Sequence, residues 1–194
     1  MEEKINTRDN VSASMEMNTG VGEVFLSPYA TYSFQCYDKD GNLKWEDAFK
    51  NTVTTLGKND VLNKYFSNTA AGACYLGLIS SSGYSAIAAG DTMSSHAGWT
   101  EAGNANAPTY TAPRKTLTAA WAAASGGSMS TSATQDFAIT GTGTVKGAFI
   151  NIGGSSTIDN TTGLLYSAGL FSAPGDRAVA NGDTLKVTVT LTAS

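Results

Sequence analysis

Two segments of the chain have similar sequences, and this repeat constrains the fold more than any other feature. Residues 75–93 read YLGLISSSGYSAIAAGDTM, and residues 167–185 read SAGLFSAPGDRAVANGDTL. The two segments align without a gap at an offset of 92 residues, and nine of nineteen positions are identical. Both end in Gly-Asp-Thr followed by an apolar residue. We interpret them as one supersecondary unit that the chain uses twice.

Each copy has the pattern of a strand, a loop and a second strand. A short apolar run, over 75–79 in the first copy and 164–171 in the second, leads into a break rich in Ser, Gly or Pro and then into an apolar alternation. Gly90 and Gly182 stand where a tight turn needs a positive φ, which glycine adopts most readily. Residues 185–192 then alternate apolar residues with Lys or Thr, which predicts a half-buried strand.

The composition favours an all-β protein. The chain of 194 residues contains 21 glycines, only 14% charged residues and many Ser and Thr, a mixture typical of short strands joined by tight turns. We therefore predict an all-β, two-sheet sandwich of the jelly-roll type, with one short helix and an extended N-terminal arm. The expected division is a flexible or partner-ordered arm over residues 1–24 and a β-sandwich domain over residues 25–194, which contains the repeat.

Local patterns place a hairpin early in the sandwich. Residues 29–36 alternate apolar and polar side chains, residues 38–42 read DKDGN, and residues 43–49 return with Trp45 among them. The Asp-Gly sequence between two such runs predicts a turn between paired strands. Residues 144–152 are apolar on both faces, which predicts a central strand. Residues 115–124 favour a further strand, although their run of alanines would also suit a helix.

One segment has helical spacing. We expect Thr55 to cap a short helix. The residues expected on its buried face are Val61, Leu62, Tyr65 and Phe66.

Charge and targeting signals narrow the possible partners. The net charge of −4 and the absence of a run of Lys and Arg argue against a nucleic-acid partner. The first ten residues, MEEKINTRDN, contain no apolar region typical of a secretory signal, and no run of apolar residues is long enough to span a membrane. Cys36 and Cys74 are interpreted as two small buried residues in a reducing cytoplasm, with a disulfide between them as the alternative.

No pattern of residues points to catalysis, a cofactor or a metal. His96 is the only histidine, and we interpret it as a turn residue beside a packed Trp99. Asp38, Asp40 and Asn42 resemble the start of a calcium loop, but Gly41 comes too early for one. We therefore predict no catalytic, cofactor-binding or metal-binding residues, and a protein that is not an enzyme.

Several segments carry a resemblance to a known class of proteins. These segments are NTVTTLGKNDVLNKYF (51–66), YLGLIS (75–80), DTMSSHAGWTE (91–101), LYSAGLF (165–171) and AVANGDTL (178–185). They resemble small virion proteins encoded among the structural genes of tailed bacteriophages. The resemblance extends from about Tyr32 to the end of the chain, whereas the first thirty residues look specific to this protein.

The resemblance implies a capsid decoration or cement protein, a class that often uses jelly-roll or immunoglobulin-like sandwiches. Such a protein is made in the host bacterial cytoplasm and lies on the outer capsid surface of the virion. Its expected partners are the major capsid protein and itself, as a dimer or trimer, because shells offer symmetric sites. We expect no cofactor, no nucleic acid and no membrane partner.

Two other positions in a phage particle stay open. The first is a tail or host-recognition module that binds cell-surface glycan through exposed aromatic residues, with Trp99, Tyr110 and Trp121 as candidates. The second is a tail-tube or adaptor subunit, which would assemble into rings.

Overall fold

The computed structural model describes residues 29–67, 69–172 and 175–193. The predicted arm over residues 1–24 lies outside the described residues. The elements in chain order are β1 (Tyr29–Tyr37), β2 (Leu43–Lys50), β3 (Thr52–Val53), α1 (Thr55–Phe66), β4 (Cys74–Ser80), β5 (Lys115–Thr116), β6 (Ser128–Ser130), β7 (Gln135–Ala138), β8 (Gly143–Ile152), β9 (Leu164–Leu170), β10 (Arg177–Val179) and β11 (Thr184–Thr192).

The first sheet is built around β1 and β11, which pair antiparallel along their whole length. β2 joins the outer side of β1 through the predicted hairpin, so the strand order is β2-β1-β11. β6 and β7 pair with different halves of β11 on its other side. The alternation of β1 and β11 gives each strand one face that points into the protein, as the sequence pattern predicts.

The second sheet has the order β3-β9-β8-β4-β5, and β10 also pairs with β8. β8 is central and buried on both faces, which confirms the prediction from its apolar pattern. The protein is thus an all-β, two-sheet sandwich with antiparallel sheets, and the described residues include one short helix. The finer assignment to the jelly-roll type stays a prediction.

An aromatic cluster holds the two sheets together. Phe34 of β1 and Phe49 of β2 have ring centroids 5.4 Å apart. Phe171, which follows β9, packs edge-on against both rings at 4.7 and 5.0 Å. These three side chains are each at most 5% exposed. Burying aromatic rings of this size in edge-to-face contact is among the strongest local contributions to a sandwich core.

The two copies of the repeat occupy related places in the second sheet. β4 from the first copy and β9 from the second lie on opposite sides of β8, and both run antiparallel to it. In the second copy the chain continues along β8 as β10 after a short break. In the first copy residues 81–90 leave the sheet as turns and irregular backbone, so the predicted second strand of that copy is wrong.

The helix forms where the sequence predicts it, but its cap and its buried face differ. Thr54, not Thr55, is the N-cap residue, and its Oγ1 accepts a hydrogen bond from the backbone N–H of Gly57 at 3.0 Å. Val61 is half-buried, whereas Leu62 is 52% exposed. The side chains of Tyr65 and Phe66, which complete the predicted face, lie outside the described part of the protein.

The backbone of the helix approaches the second sheet closely at Gly57. A Cβ added at Gly57 would lie 2.3 Å from the carbonyl oxygen of Tyr166 in β9, so only glycine permits this close approach.

Two further local predictions are wrong. The strand expected over residues 115–124 is reduced to the two residues of β5, and turns follow it. Gly182 has the expected positive φ of 91°, whereas Gly90 is not among the glycines with positive φ.

Candidate functional site

The two Gly-Asp-Thr segments form turns that are closed by the same two hydrogen bonds, although Gly182 has a positive φ and Gly90 does not. In each turn the Asp backbone N–H donates to the carbonyl of an alanine three residues earlier, at 3.0 Å from Asp91 to Ala88 and 3.0 Å from Asp183 to Ala180. In each, the Asp Oδ2 accepts the N–H of the same alanine, at 2.9 Å in the first copy and 2.7 Å in the second. In each copy the aspartate and the alanine thus exchange two hydrogen bonds that close the turn, an arrangement we call the turn lock.

The second turn uses its carboxylate to fix the first sheet as well. Lys44 of β2 donates from Nζ to Oδ2 of Asp183 at 2.5 Å, and the Sγ of Cys36 donates to the same oxygen at 3.6 Å. Asp183 is only 4% exposed. The hydrogen bond to Asp183 raises the pKa of Lys44. Burial, and after it the nearby Asp183 charge, raises the pKa of the Cys36 thiol to about 12.

The first turn uses the same oxygen to hold an indole. Trp99 donates from Nε1 to Oδ2 of Asp91 at 3.0 Å, and its side chain is buried at 1% exposure. The ring of His96 stacks on Trp99 with centroids 3.9 Å apart, and its Nδ1 lies 2.9 Å from the Trp99 carbonyl oxygen. The prediction of a turn histidine beside a packed tryptophan is confirmed.

A buried ion pair lies next to this turn and was not predicted from the sequence. Arg114 donates from Nε to Oε1 of Glu101 at 2.7 Å and from a terminal nitrogen to Oε2 at 2.6 Å, and both side chains are at most 4% exposed. The rest of the guanidinium donates to the carbonyls of Ser155 and Asn160. Glu101 Oε2 also accepts the backbone N–H of Asp159 at 2.8 Å. The pair thus joins three loops.

The hydrogen-bonding groups of this ion pair bind other parts of the same protein. Burial raises the pKa of Glu101, while the Arg114 guanidinium and the Asp159 N–H oppose that shift. A cleft of about 190 Å³ lies beside the pair, with His96 and Met93 among its lining residues. Both carboxylate oxygens of Glu101 accept hydrogen bonds from protein donors, so the arrangement fixes the loops against one another.

The aromatic candidates for glycan binding are not exposed as that hypothesis requires. Trp99 and Tyr110 are 1% and 3% exposed. Tyr110 packs edge-on against Phe137 with centroids 4.9 Å apart, and burial raises the pKa of its hydroxyl. Trp121 is half-buried. The three side chains therefore do not form a shared stacking platform on the surface.

The segment that resembles a calcium loop is a side-chain-locked turn. Asp38 Oδ1 accepts the backbone N–H groups of Asp40 and Asn42 at 2.9 and 2.8 Å, and Asn42 also donates from its side chain to both Asp38 oxygens. These bonds lower the pKa of Asp38. Across the described ranges, no group of three or more His, Cys, Asp or Glu side chains is placed to hold a metal ion.

Both cysteines are free thiols. Cys36 is fully buried and Cys74 is half-buried, and burial raises the pKa of each to about 12. The interpretation as small packed residues fits this structure, and the alternative disulfide is absent from it.

The exposed face of the first sheet is polar and rich in hydroxyl groups. A shallow groove of about 650 Å³ crosses it between β2, β1 and β11. Its polar lining residues include Ser33, Gln35, Glu46, Lys186 and Thr188. At the end of β11, Ser130 bonds to Thr190 at 2.8 Å and Ser128 to Thr192 at 3.0 Å, so these four hydroxyls are paired across strands.

Comparison with known proteins gives no assignment: no protein-family model and no curated protein sequence matches the chain. Within the residues that the structure describes, no helix is long and apolar enough to cross a membrane.

Proposed function

We propose that this protein is a structural component of a tailed-bacteriophage particle, a non-enzymatic decoration protein that binds the outer surface of the assembled capsid. The sequence segments that resemble phage virion proteins include the Gly-Asp-Thr of the second copy and the Asp-Thr of the first. In the structure these segments form turns and core, so they support a shared scaffold.

The observation that carries the proposal is how the protein uses its buried charges. Glu101, Arg114 and Asp183 are each at most 5% exposed, and each is bonded to another part of the same chain. Buried charges of a catalytic or ligand site are ordinarily aimed at a reacting group or a bound molecule. Here they fasten loops and sheets, which suits a protein that works by presenting a rigid surface.

The mechanism we propose is mechanical. Many copies bind the outside of the capsid, join neighbouring capsomers and stabilise the shell, because a ligand that binds only the assembled state shifts the equilibrium toward it. The partners are then the major capsid protein and further copies of this chain. Residues 1–24 serve as an arm that becomes ordered on the capsid surface, adding a strand to an exposed sheet edge of a capsid subunit.

The test uses capsids assembled without this protein. Purified protein is added to them, and binding is measured by co-sedimentation while shell stability is followed by thermal disassembly. We expect saturable binding and a rise in disassembly temperature that increases with occupancy. Absence of binding to complete capsids, or binding with no change in disassembly temperature, would contradict the decoration role.

A further inference from the structure

β2 is an edge strand whose outer side offers backbone groups for pairing. It is hydrogen-bonded to β1 on one side, and in the described part of the chain no strand pairs with its other side. The backbone N–H of Asn51 points toward β1, where it donates to Ala30 at 2.9 Å. Because N–H directions alternate along a regular strand, those of Glu46, Ala48 and Lys50 point outward.

The side chains on this edge carry opposite charges at equal distances on either side of Ala48. Glu46 lies two residues before Ala48 and Lys50 two residues after it, and all three are exposed. Within the described ranges neither charged side chain forms a salt bridge. Glu46 has only a long 3.5 Å contact with Gln35, and the Lys50 ammonium lies 4.6 Å from the ring centroid of Tyr29.

We propose that β2 pairs antiparallel with β2 of a second copy of this chain, about a two-fold axis at Ala48. In that register the outward backbone groups of Ala48 face those of Ala48 in the partner, which is the hydrogen-bonded type of antiparallel pair. Glu46 then stands opposite the partner's Lys50, and Lys50 opposite the partner's Glu46. The interface is isologous and joins the first sheets of both copies into one continuous sheet.

Opposite charges placed directly across an antiparallel pair favour that register. A shift by two residues places Lys50 opposite Ala48 or Lys44 and removes both Glu46–Lys50 pairs, and a shift by four places Lys50 against Lys50 or Glu46 against Glu46. A shift by one residue places inward-facing positions opposite outward ones and loses the backbone pairing. The edge is therefore specific for its own copy in one register.

One local contact competes with this pairing. Asp47 accepts the outward N–H of Ala48 through Oδ1 at 2.7 Å, while its Oδ2 is paired with Arg177. In the dimer the partner's Ala48 carbonyl replaces Asp47 Oδ1 as acceptor, and the ion pair with Arg177 keeps the Asp47 charge satisfied. Breaking this local hydrogen bond offsets part of the free energy that the new pairing gains.

This inference deepens the self-association included in the proposed function, and its test uses the isolated protein, so that failure of dimerisation and failure of capsid binding are distinguishable. Sedimentation velocity over a wide concentration range gives the dimer fraction. We expect a reversible dimer for the wild-type chain. Glu46→Lys and Lys50→Glu alone each place like charges opposite one another and should weaken the dimer at least tenfold, whereas the double variant restores the opposite-charge pairs and the dimer.

A matched pair of substitutions separates the edge from general surface charge. Ala48→Lys places two ammonium groups at the axis and should abolish the dimer. Ala138→Lys makes the same change at an exposed position of β7, on the other side of the same sheet, and should leave the dimer intact. Circular dichroism checks that every variant is folded. A wild-type chain that is monomeric up to its solubility limit, or a dimer that survives both single charge reversals, overturns the proposal.

Discussion

At the scale of single residues, several carboxylates each accept more than one hydrogen bond and thereby join separate parts of the chain. Asp91 and Asp183 lock equivalent turns, but Asp91 then holds a neutral indole while Asp183 holds the Lys44 ammonium. The turn itself was predictable, because Gly-Asp-Thr stands twice in the sequence. The further partner of each carboxylate was not predictable. Lys44 and Trp99 lie at different sequence separations from their aspartates, and no spacing rule connects them to the turns.

Replacing each carboxylate by an amide separates these two roles. We expect Asp183→Asn to lower the free energy of unfolding by about 1–2 kcal/mol more than Asp91→Asn, because only Asp183 loses an ion pair. Urea denaturation of the two variants measures the difference. Equal losses would show that the ammonium adds nothing beyond the turn lock.

The Glu101–Arg114 pair gives a larger expected effect. Arg114→Met leaves the Glu101 carboxylate buried without its partner, which should cost about 3–5 kcal/mol of unfolding free energy. Lys186→Met is the control, because Lys186 forms an ion pair with Asp136 in which the two side chains are 34% and 44% exposed, and loss of such an exposed pair costs less than about 1 kcal/mol. Equilibrium denaturation measures both variants. A loss at Arg114 no larger than that at Lys186 contradicts the buried-pair account.

The thiols provide a pH-dependent prediction. A pKa of about 12 for Cys36 and Cys74, in place of the ordinary 9.0, lowers the thiolate fraction at pH 8 by roughly a thousandfold. We expect the native protein to react slowly with a disulfide reagent at pH 8, to react faster as the pH rises toward 12, and to release the full signal of two thiols after unfolding in denaturant. Single Cys→Ser variants assign the signals, and rapid reaction of the folded protein at pH 8 would contradict the burial of these groups.

At the scale of elements, strands were easier to predict than the helix. In β1 and β11 the two-residue period of the sequence coincides with the burial pattern, because each strand packs one face against the opposite sheet, and in β8 apolar residues on both faces coincide with burial on both faces. The helix approaches β9 closely at Gly57, and a contact that depends on a missing side chain gives no periodic signal in the sequence. Leu62, which helical spacing placed on the buried face, is exposed.

The cap of α1 is the point at which the helix is joined to the second sheet. Thr54 is 1% exposed, and its hydroxyl accepts from Gly57 and donates to the Leu165 carbonyl at 2.5 Å. We expect Thr54→Ala to lower the unfolding free energy by about 1–2 kcal/mol. Thr55→Ala, at the exposed neighbouring position first predicted as the cap, should change it by less than about 0.5 kcal/mol. Thermal and urea unfolding compare the two variants, and a larger effect at Thr55 would refute this capping geometry.

At the scale of the whole molecule, the sandwich and the N-terminal residues have different proposed tasks: the sandwich presents a rigid surface, and the N-terminal residues attach it to the capsid. The sandwich could be predicted as a class because composition, alternation and turns all point to short antiparallel strands. The ion pair that joins three loops could not, because it depends on how those loops meet in space. The position of the protein in a phage particle rests on the resemblance of its sequence segments and is a proposal.

Removal of residues 1–24 tests the arm directly. We expect the truncated protein to keep its thermal unfolding midpoint within about 2 °C of the full chain, because every residue of the described core lies at or after Ala30. Its binding to capsids assembled without the protein should fall at least tenfold in co-sedimentation. Unchanged capsid binding by the truncated chain would show that the arm takes no part in attachment.

The most direct measurement for the central proposal is the location of the protein in purified particles, determined by cryo-electron microscopy with gold labelling of the protein. The account predicts density for the sandwich distributed over the whole icosahedral surface at repeated positions between capsomers. Density confined to the tail or its fibres would contradict the decoration role and would favour a tail or host-recognition module.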